Sequence, residues 1–170
     1  FTGNGIEDLT IDGSLVKSTM ADVVGDALKT VTITGDQDLT VTASIDFAAS
    51  GNAAAIDGTI DASALTGKLT ATASSTETVK IIGGSANDTI NLLGTLTTND
   101  NIDGGAGIDQ LTISIAGAST ASYSVSAITT SNLEKLYVSN YDTGATAGWV
   151  HTINGSLMTG LTTVGVTSSA

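Results

Sequence analysis

The nine residues Thr59-Ile60-Asp61-Ala62-Ser63-Ala64-Leu65-Thr66-Gly67 return as Thr152-Ile153-Asn154-Gly155-Ser156-Leu157-Met158-Thr159-Gly160, and their first half returns as Thr10-Ile11-Asp12-Gly13-Ser14. Each copy reads as a strand end, then an Asp or Asn able to bond to its own downstream backbone, then small residues that permit a sharp corner, then an apolar residue turned inward. Corners that recur imply coils that recur. Between Leu69 and Leu111 the apolar anchors Leu69, Val79, Ile90, Ile102 and Leu111 come at intervals of 10, 11, 12 and 9. One short strand and one tight turn per interval is what a β-solenoid or β-roll requires. A β-sandwich of short strands satisfies the same spacing and stands as the alternative.

The strands show in the alternation. Leu39, Val41 and Ala43 interleave with threonines, as do Leu69, Ala71 and Ala73, and Leu111, Ile113 and Ile115 interleave with Thr112 and Ser114. Period two with a polar second face marks half-buried strands. Aromatic residues make up only 4% of the chain, so small and β-branched side chains must fill thin core layers, which suits strands. One stretch departs from this: Met20, Val23, Val24, Ala27 and Leu28 fall at helical spacing, with Ser18 or Thr19 as amino-terminal cap and Lys29 near the carboxyl end. That spacing predicts one short helix plugging a side or end of an all-β fold of parallel coils. The 170 residues read as a single β-rich module, 1–170. Because the first residue is Phe1 and not Met, the module is expected to be an excerpt of a longer repeat protein.

Charge narrows the partners. Seventeen acidic residues face five basic ones, all lysine, for a net charge of -12. Nucleic acid needs cationic groups to displace counterions from its phosphates, and anionic membrane surfaces need them too, so neither suits this chain. No apolar run reaches the ~20 residues that span a bilayer. A chain this acidic repels its neighbours or recruits cations, and clustered carboxylates favour the second. Cys is absent, which excludes disulfides and thiolate metal sites.

The strongest chemical signal is Gly104-Gly105-Ala106-Gly107-Ile108-Asp109-Gln110-Leu111-Thr112, which fills every fixed position of the nonapeptide G-G-x-G-x-D-x-U-x. Gly83-Gly84-Ser85-Ala86-Asn87-Asp88-Thr89-Ile90-Asn91 repeats it except at Ala86, and Asp100-x-Ile102 keeps only its end. Glycines admit a very tight turn with its carbonyls to one side, the Asp adds a carboxylate, and the apolar residue anchors the next strand. The 21-residue spacing of Asp88 and Asp109 predicts that the two turns stack, with extra residues accommodated in the Leu92 to Asn99 segment. Carboxylates that close repel unless a cation lies between them, and Ca2+ fits through its 6–8 oxygen ligands in adaptable geometry. The expected ligands are the Asp88 and Asp109 carboxylates with carbonyls of Gly84, Ala86, Gly105 and Gly107. The opposite turn, with Asp100 and Asp103, is a candidate for a second ion.

Residues 83–112 resemble the calcium-binding repeats of the repeats-in-toxin (RTX) family. The Thr-Ile-Asp-Ala-Ser-x-Leu-Thr-Gly phrase and Asn132-Leu133-Glu134-Lys135-Leu136 are similar to repeat regions of RTX-bearing bacterial surface-layer (S-layer) proteins. The resemblance implies a secreted structural protein of the bacterial cell surface, exported by a type I system and folding on extracellular calcium. It also implies self-assembly through lateral contacts between identical copies, with cell-surface polysaccharide as a further partner. A stalk or glycan-binding module of an RTX adhesin is the alternative.

Other candidates carry less. His151 is the single histidine, too few for a metal cluster or a nucleophile's base, so no enzyme is expected. Trp149 with Tyr123, Tyr137 and Tyr141 reads as cover for a core edge or as a glycan platform. Asp36 and Asp38 read as a solvated turn or a further ion site, and Asp57 and Asp61 as a carboxylate pair that nothing positions for glycoside hydrolysis.

Overall fold

The computed structural model describes residues 1–48, 56–73, 78–93, 98–115, 124–125, 128–140 and 152–168. In chain order its strands are β1 Thr2–Gly3, β2 Asp8–Gly13, β3 Ser18–Met20, β4 Val23–Gly25, β5 Thr30–Gly35, β6 Leu39–Val41, β7 Ile45–Asp46, β8 Gly58–Leu65 and β9 Leu69–Ala73. They continue as β10 Val79–Ile82, β11 Thr89–Leu93, β12 Asn101–Asp103, β13 Gln110–Ile115, β14 Ser124–Val125, β15 Thr129–Ser131, β16 Lys135–Asn140, β17 Thr152–Ile153 and β18 Thr163–Ser168.

The fold is all-β, with every strand pairing among the described residues parallel. Parallel neighbours cannot be joined by a hairpin, so the chain must travel round to reach the next rung, and the sandwich alternative falls. From β8 to β13 it crosses to the opposite wall at every strand. A 10-stranded sheet (β1-β4-β7-β9-β11-β13-β16-β18, with β3 and β6 beside it) forms one wall and a 6-stranded sheet (β15-β12-β10-β8-β5-β2) the other, with β14 and β17 as a separate pair. The anchors at near-constant intervals are therefore half-coils: Leu69, Ile90 and Leu111 lie in the large sheet, Val79 and Ile102 in the small one.

In-register pairing stacks like on like. One inward column of the large sheet runs Ala71, Ile90, Leu111, Leu136, Val164, and another runs Ala73, Leu92, Ile113, Val138, Val166. Opposite them stand Leu9, Val31, Ile60, Ile81 and Ile102 of the small sheet. Between the walls Ile60, Ile81, Ile90, Ile102 and Ile113 are fully buried, each removing apolar surface worth about 1.5–3 kcal/mol per side chain. On the outer face Thr19, Thr40, Thr70 and Thr89 form one rank.

The helix expected over Met20 to Leu28 is absent. Ser18–Met20 and Val23–Gly25 are instead the short strands β3 and β4, separated by a bend at Ala21–Asp22. Thr19 pairs with Thr40 and Val23 with Ile45 of the next coil. The bend shifts the inward positions by one residue, so Met20 and Val23 stand three apart as on a helix, while Val24 lies between the buried Val23 and Gly25 on the other face of β4. The ladder offered by the next coil then outweighs the weak helix preference of Thr and Val.

The recurrent Asp-Ala-Ser corner has a definite shape. Between Thr32↔Asp61 and Thr34↔Ala64 the register of β5 and β8 shifts, so Asp61–Ala64 is a bulge. Asp61 Oδ1 accepts from Ser63 N–H (3.0 Å) and Ser63 Oγ (2.7 Å), which holds its carboxyl below the usual range. Asn154 Oδ1 likewise accepts from Ser156 N–H at 3.0 Å, and Ser14 Oγ bonds to Asp12 Oδ1.

Candidate metal and turn site

The two glycine turns stack. Their flanking strands pair Thr89 with Gln110 and Ile90 with Leu111, and Ala106 N–H donates to Gly84 O (3.0 Å) across the gap. Close approach explains the glycines. A Cβ on Gly83 would lie 2.1 Å from Gly104 O, and one on Gly104 would lie 1.9 Å from Asn132 O. Gly105 and Gly107 add φ of 88° and 132°, in the left-handed region that favours glycine. Ala86 has no such φ, so the Gly83 turn makes its corner without a left-handed residue. The Gly84 and Ala86 carbonyls face the next turn, 2.2 Å and 2.5 Å from where a Cβ of Gly105 and of Gly107 would be.

The aspartates point into the stack. Asp88 and Asp109 are 1% and 0% exposed. Asp88 Oδ1 accepts from Leu69 N–H of the preceding coil (2.8 Å) and its Oδ2 accepts from Gly84 N–H of its own turn (2.6 Å). Asp109 Oδ1 accepts from Asp88 N–H (2.6 Å), and Glu134 Oε2 accepts from Asp109 N–H (2.7 Å). An acidic ladder thus climbs three coils, each carboxylate binding an amide at the corner below it. A second rung type stands at the other corner, where Asp100 Oδ1 accepts from Val79 N–H (2.9 Å) and Asp57 Oδ2 from Thr78 N–H (2.8 Å).

One oxygen breaks this pattern: Asp109 Oδ2 is buried without a hydrogen-bond partner. It lies 2.8 Å from the point, beside Gly104, that is 1.9 Å from Asn132 O. Burial, and then the charges of Asp88, Glu134 and Asp103, raise the Asp109 carboxyl from 3.8 to about 6 against the lowering effect of the Asp88 N–H. Burial also raises Asp88, opposed by its bonds to Leu69 and Gly84. An unpartnered buried carboxylate oxygen among other carboxylates is an environment that a divalent cation would relieve.

Asp100 and Asp103 do not share a turn. They bracket β12, and Asp103 belongs to the glycine corner, accepting from Gly105 N–H (3.1 Å) and Asn132 Nδ2 (2.8 Å). Asp38 is held below the usual carboxylate range by Lys68 N–H (2.9 Å) and by Lys17 Nζ (3.1 Å), while Asp36 pairs with Gln37. Asp57 serves its corner amide and Asp61 its bulge, which separates their roles. His151, Trp149, Tyr123 and Tyr141 lie outside the described residues, as does 94–97 of the segment that takes up the extra length.

Glu134 is the site residue that the glycine motif does not announce. A wider signal does: Asp88-x-Ile90, Asp100-x-Ile102, Asp109-x-Leu111 and Glu134-x-Leu136 all place an acid two residues before an inward anchor. Among the described residues no three His, Cys, Asp or Glu side chains converge as a ready metal cluster, so any cation here takes backbone carbonyls as well. No protein-family model, curated protein or solved structure matches the chain.

Proposed function

We propose that this chain is a structural segment of a secreted, calcium-stabilised assembly at the bacterial cell surface, of the RTX-bearing S-layer type, with no catalytic role. The observation that carries the reading is the buried, unpartnered Asp109 Oδ2 at the stacked glycine turns. Asp109 is the principal carboxylate ligand. Asp88 contributes through lone pairs left over from its two N–H partners, and the Gly84 and Ala86 carbonyls, which face the next turn, are the candidate backbone oxygens of the motif. Bound there, calcium supplies positive charge and additional coordination bonds that tie successive coils together. Extracellular modules bind calcium at roughly 0.1–1 mM, so such a segment is firm outside the cell and loose before export. The Thr-faced outer walls suit lateral packing between copies.

Calorimetric titration with calcium tests the site. Asp109→Asn should abolish the binding heat and Asp88→Asn should weaken it; unchanged binding in both variants places the ion elsewhere. Electron microscopy tests the assembly: sheets or filaments only with calcium support the reading, and single particles under both conditions refute it.

A further inference from the structure

The two glycine turns use their aspartates differently. In the first, Gly84 N–H donates to Asp88 Oδ2 (2.6 Å), so both oxygens of that carboxylate are engaged, Oδ1 by Leu69 N–H. In the second, the corresponding donor is Gly105 N–H, and it does not go to Asp109. It goes to Asp103 Oδ1 (3.1 Å), and Asp109 Oδ2 is left buried without a partner. The two turns are otherwise aligned, since Ile82 pairs with Asp103 at one end and Thr89 with Gln110 at the other. What differs is the side chain just before the glycine pair: Ile82 has no acceptor to offer, and Asp103 has one.

The competing bond is local, and the chain uses it elsewhere. Asp103 reaches two residues on to Gly105 as Asp61 reaches Ser63 (3.0 Å) and Asn154 reaches Ser156 (3.0 Å). Asp61 and Asp103 stand in one rank on either side of Ile82, so the second glycine turn is built on the Asp-Ala-Ser corner and the first is not. Asn132 Nδ2 also donates to Asp103 Oδ1 (2.8 Å), which steadies the carboxyl over its turn. The backbone differs in step: Gly105 has a φ of 88°, whereas Gly84 lies outside the left-handed region. A glycine accepts either conformation, so the hydrogen-bond acceptor decides which turn forms.

We infer that Asp103 is a positioning residue for the cation site: by taking Gly105 N–H it keeps Asp109 Oδ2 open to a cation, and Ile82, by taking nothing, leaves Gly84 N–H to occupy Asp88. The consequence for calcium rests on the functional reading above, while the exchange of hydrogen-bond partners does not. In chelator, through-hydrogen-bond NMR coupling from the Gly105 amide nitrogen should reach the Asp103 carboxyl carbon in the parent and the Asp109 carboxyl carbon in Asp103→Ile. Calorimetry should show calcium affinity lower by about tenfold or more in Asp103→Ile. Asp103→Asn keeps the acceptor and loses the charge, as Asn154 does in its own corner, and should bind within about threefold of the parent. Ile82→Asn should draw Gly84 N–H away from Asp88 Oδ2 and add a second calcium per chain. A Gly105 coupling that does not move to Asp109 in Asp103→Ile overturns the inference whatever calcium does. So do unchanged affinity in Asp103→Ile, a loss in Asp103→Asn as large as in Asp103→Ile, which makes Asp103 a ligand or a bare charge, and an Ile82→Asn chain that binds no more calcium than the parent. A parent that binds no calcium refutes the functional reading instead, and couplings that still move as expected then uphold the exchange of partners.

Discussion

Replacing Asp109 by Asn should move stability in opposite directions with and without calcium. In chelator the buried carboxylate is a burden on the fold. Its folded value of about 6 exceeds the unfolded 3.8, so the native state holds more protons between those values and stability falls as pH rises from about 4 to about 6. At about 1.36 kcal/mol per pH unit that interval sets a ceiling near 3 kcal/mol, and screening at a turn close to solvent reduces it to about 1–2 kcal/mol. Asn keeps an oxygen for Asp88 N–H and removes the charge. In chelator at pH 7.5 the variant should therefore melt higher than the parent, by about 2–4 °C per kcal/mol for a chain of this size. The difference should vanish near pH 4. In calcium at about 100 times its dissociation constant the parent gains about 2.7 kcal/mol that the variant forgoes, so the order reverses. Scanning calorimetry at pH 4 and 7.5, in calcium and in chelator, with monovalent salt raised as a control, measures all of this. Parent and variant with equal melting curves in chelator at pH 7.5 would refute the electrostatic argument, and a parent indifferent to calcium would refute the site.

The remaining predictions concern the stack. Ile81→Ala, in the middle of the buried column between Ile60 and Ile102, should cost about 2–5 kcal/mol in urea unfolding, whereas Leu15→Ala, 91% exposed, should change it by less than about 0.5 kcal/mol. Gly104→Ala should be worse than an ordinary Gly→Ala change and should lower calcium affinity as well, since its Cβ would collide with the Asn132 carbonyl and press on Asp109 Oδ2. Affinity and stability equal to the parent's would mean that the turns have slack the geometry denies.

How much of this the sequence determined follows from which interactions are local. Alternating Leu, Val and Ile with Thr fixes strands whatever surrounds them, because side chains alternate across the pleat. Anchors at 10, 11, 12 and 9 residues fix the half-coil, because a strand of about five residues and a tight corner consume that much chain. The Asp-Ala-Ser phrase fixes its own bulge, since Asp61 bonds to Ser63 two residues on. The glycines fix where turns can approach closely.

Tertiary structure decided whatever depends on the neighbouring coil. Ser18 to Leu28 carries a helical spacing, and only the ladder presented by Leu39–Val41 and Ile45–Asp46 draws it into strands. Asp88 and Asp109 are legible as turn carboxylates, but that Asp88 spends both oxygens on Leu69 and Gly84 while Asp109 keeps one unspent depends on which coil lies above and which below. Glu134 enters the ladder for the same reason: it is 25 residues from Asp109 in sequence and one hydrogen bond away in the stack. A sequence records what each coil can offer, and the stacking of one coil on the next determines which offers are taken up.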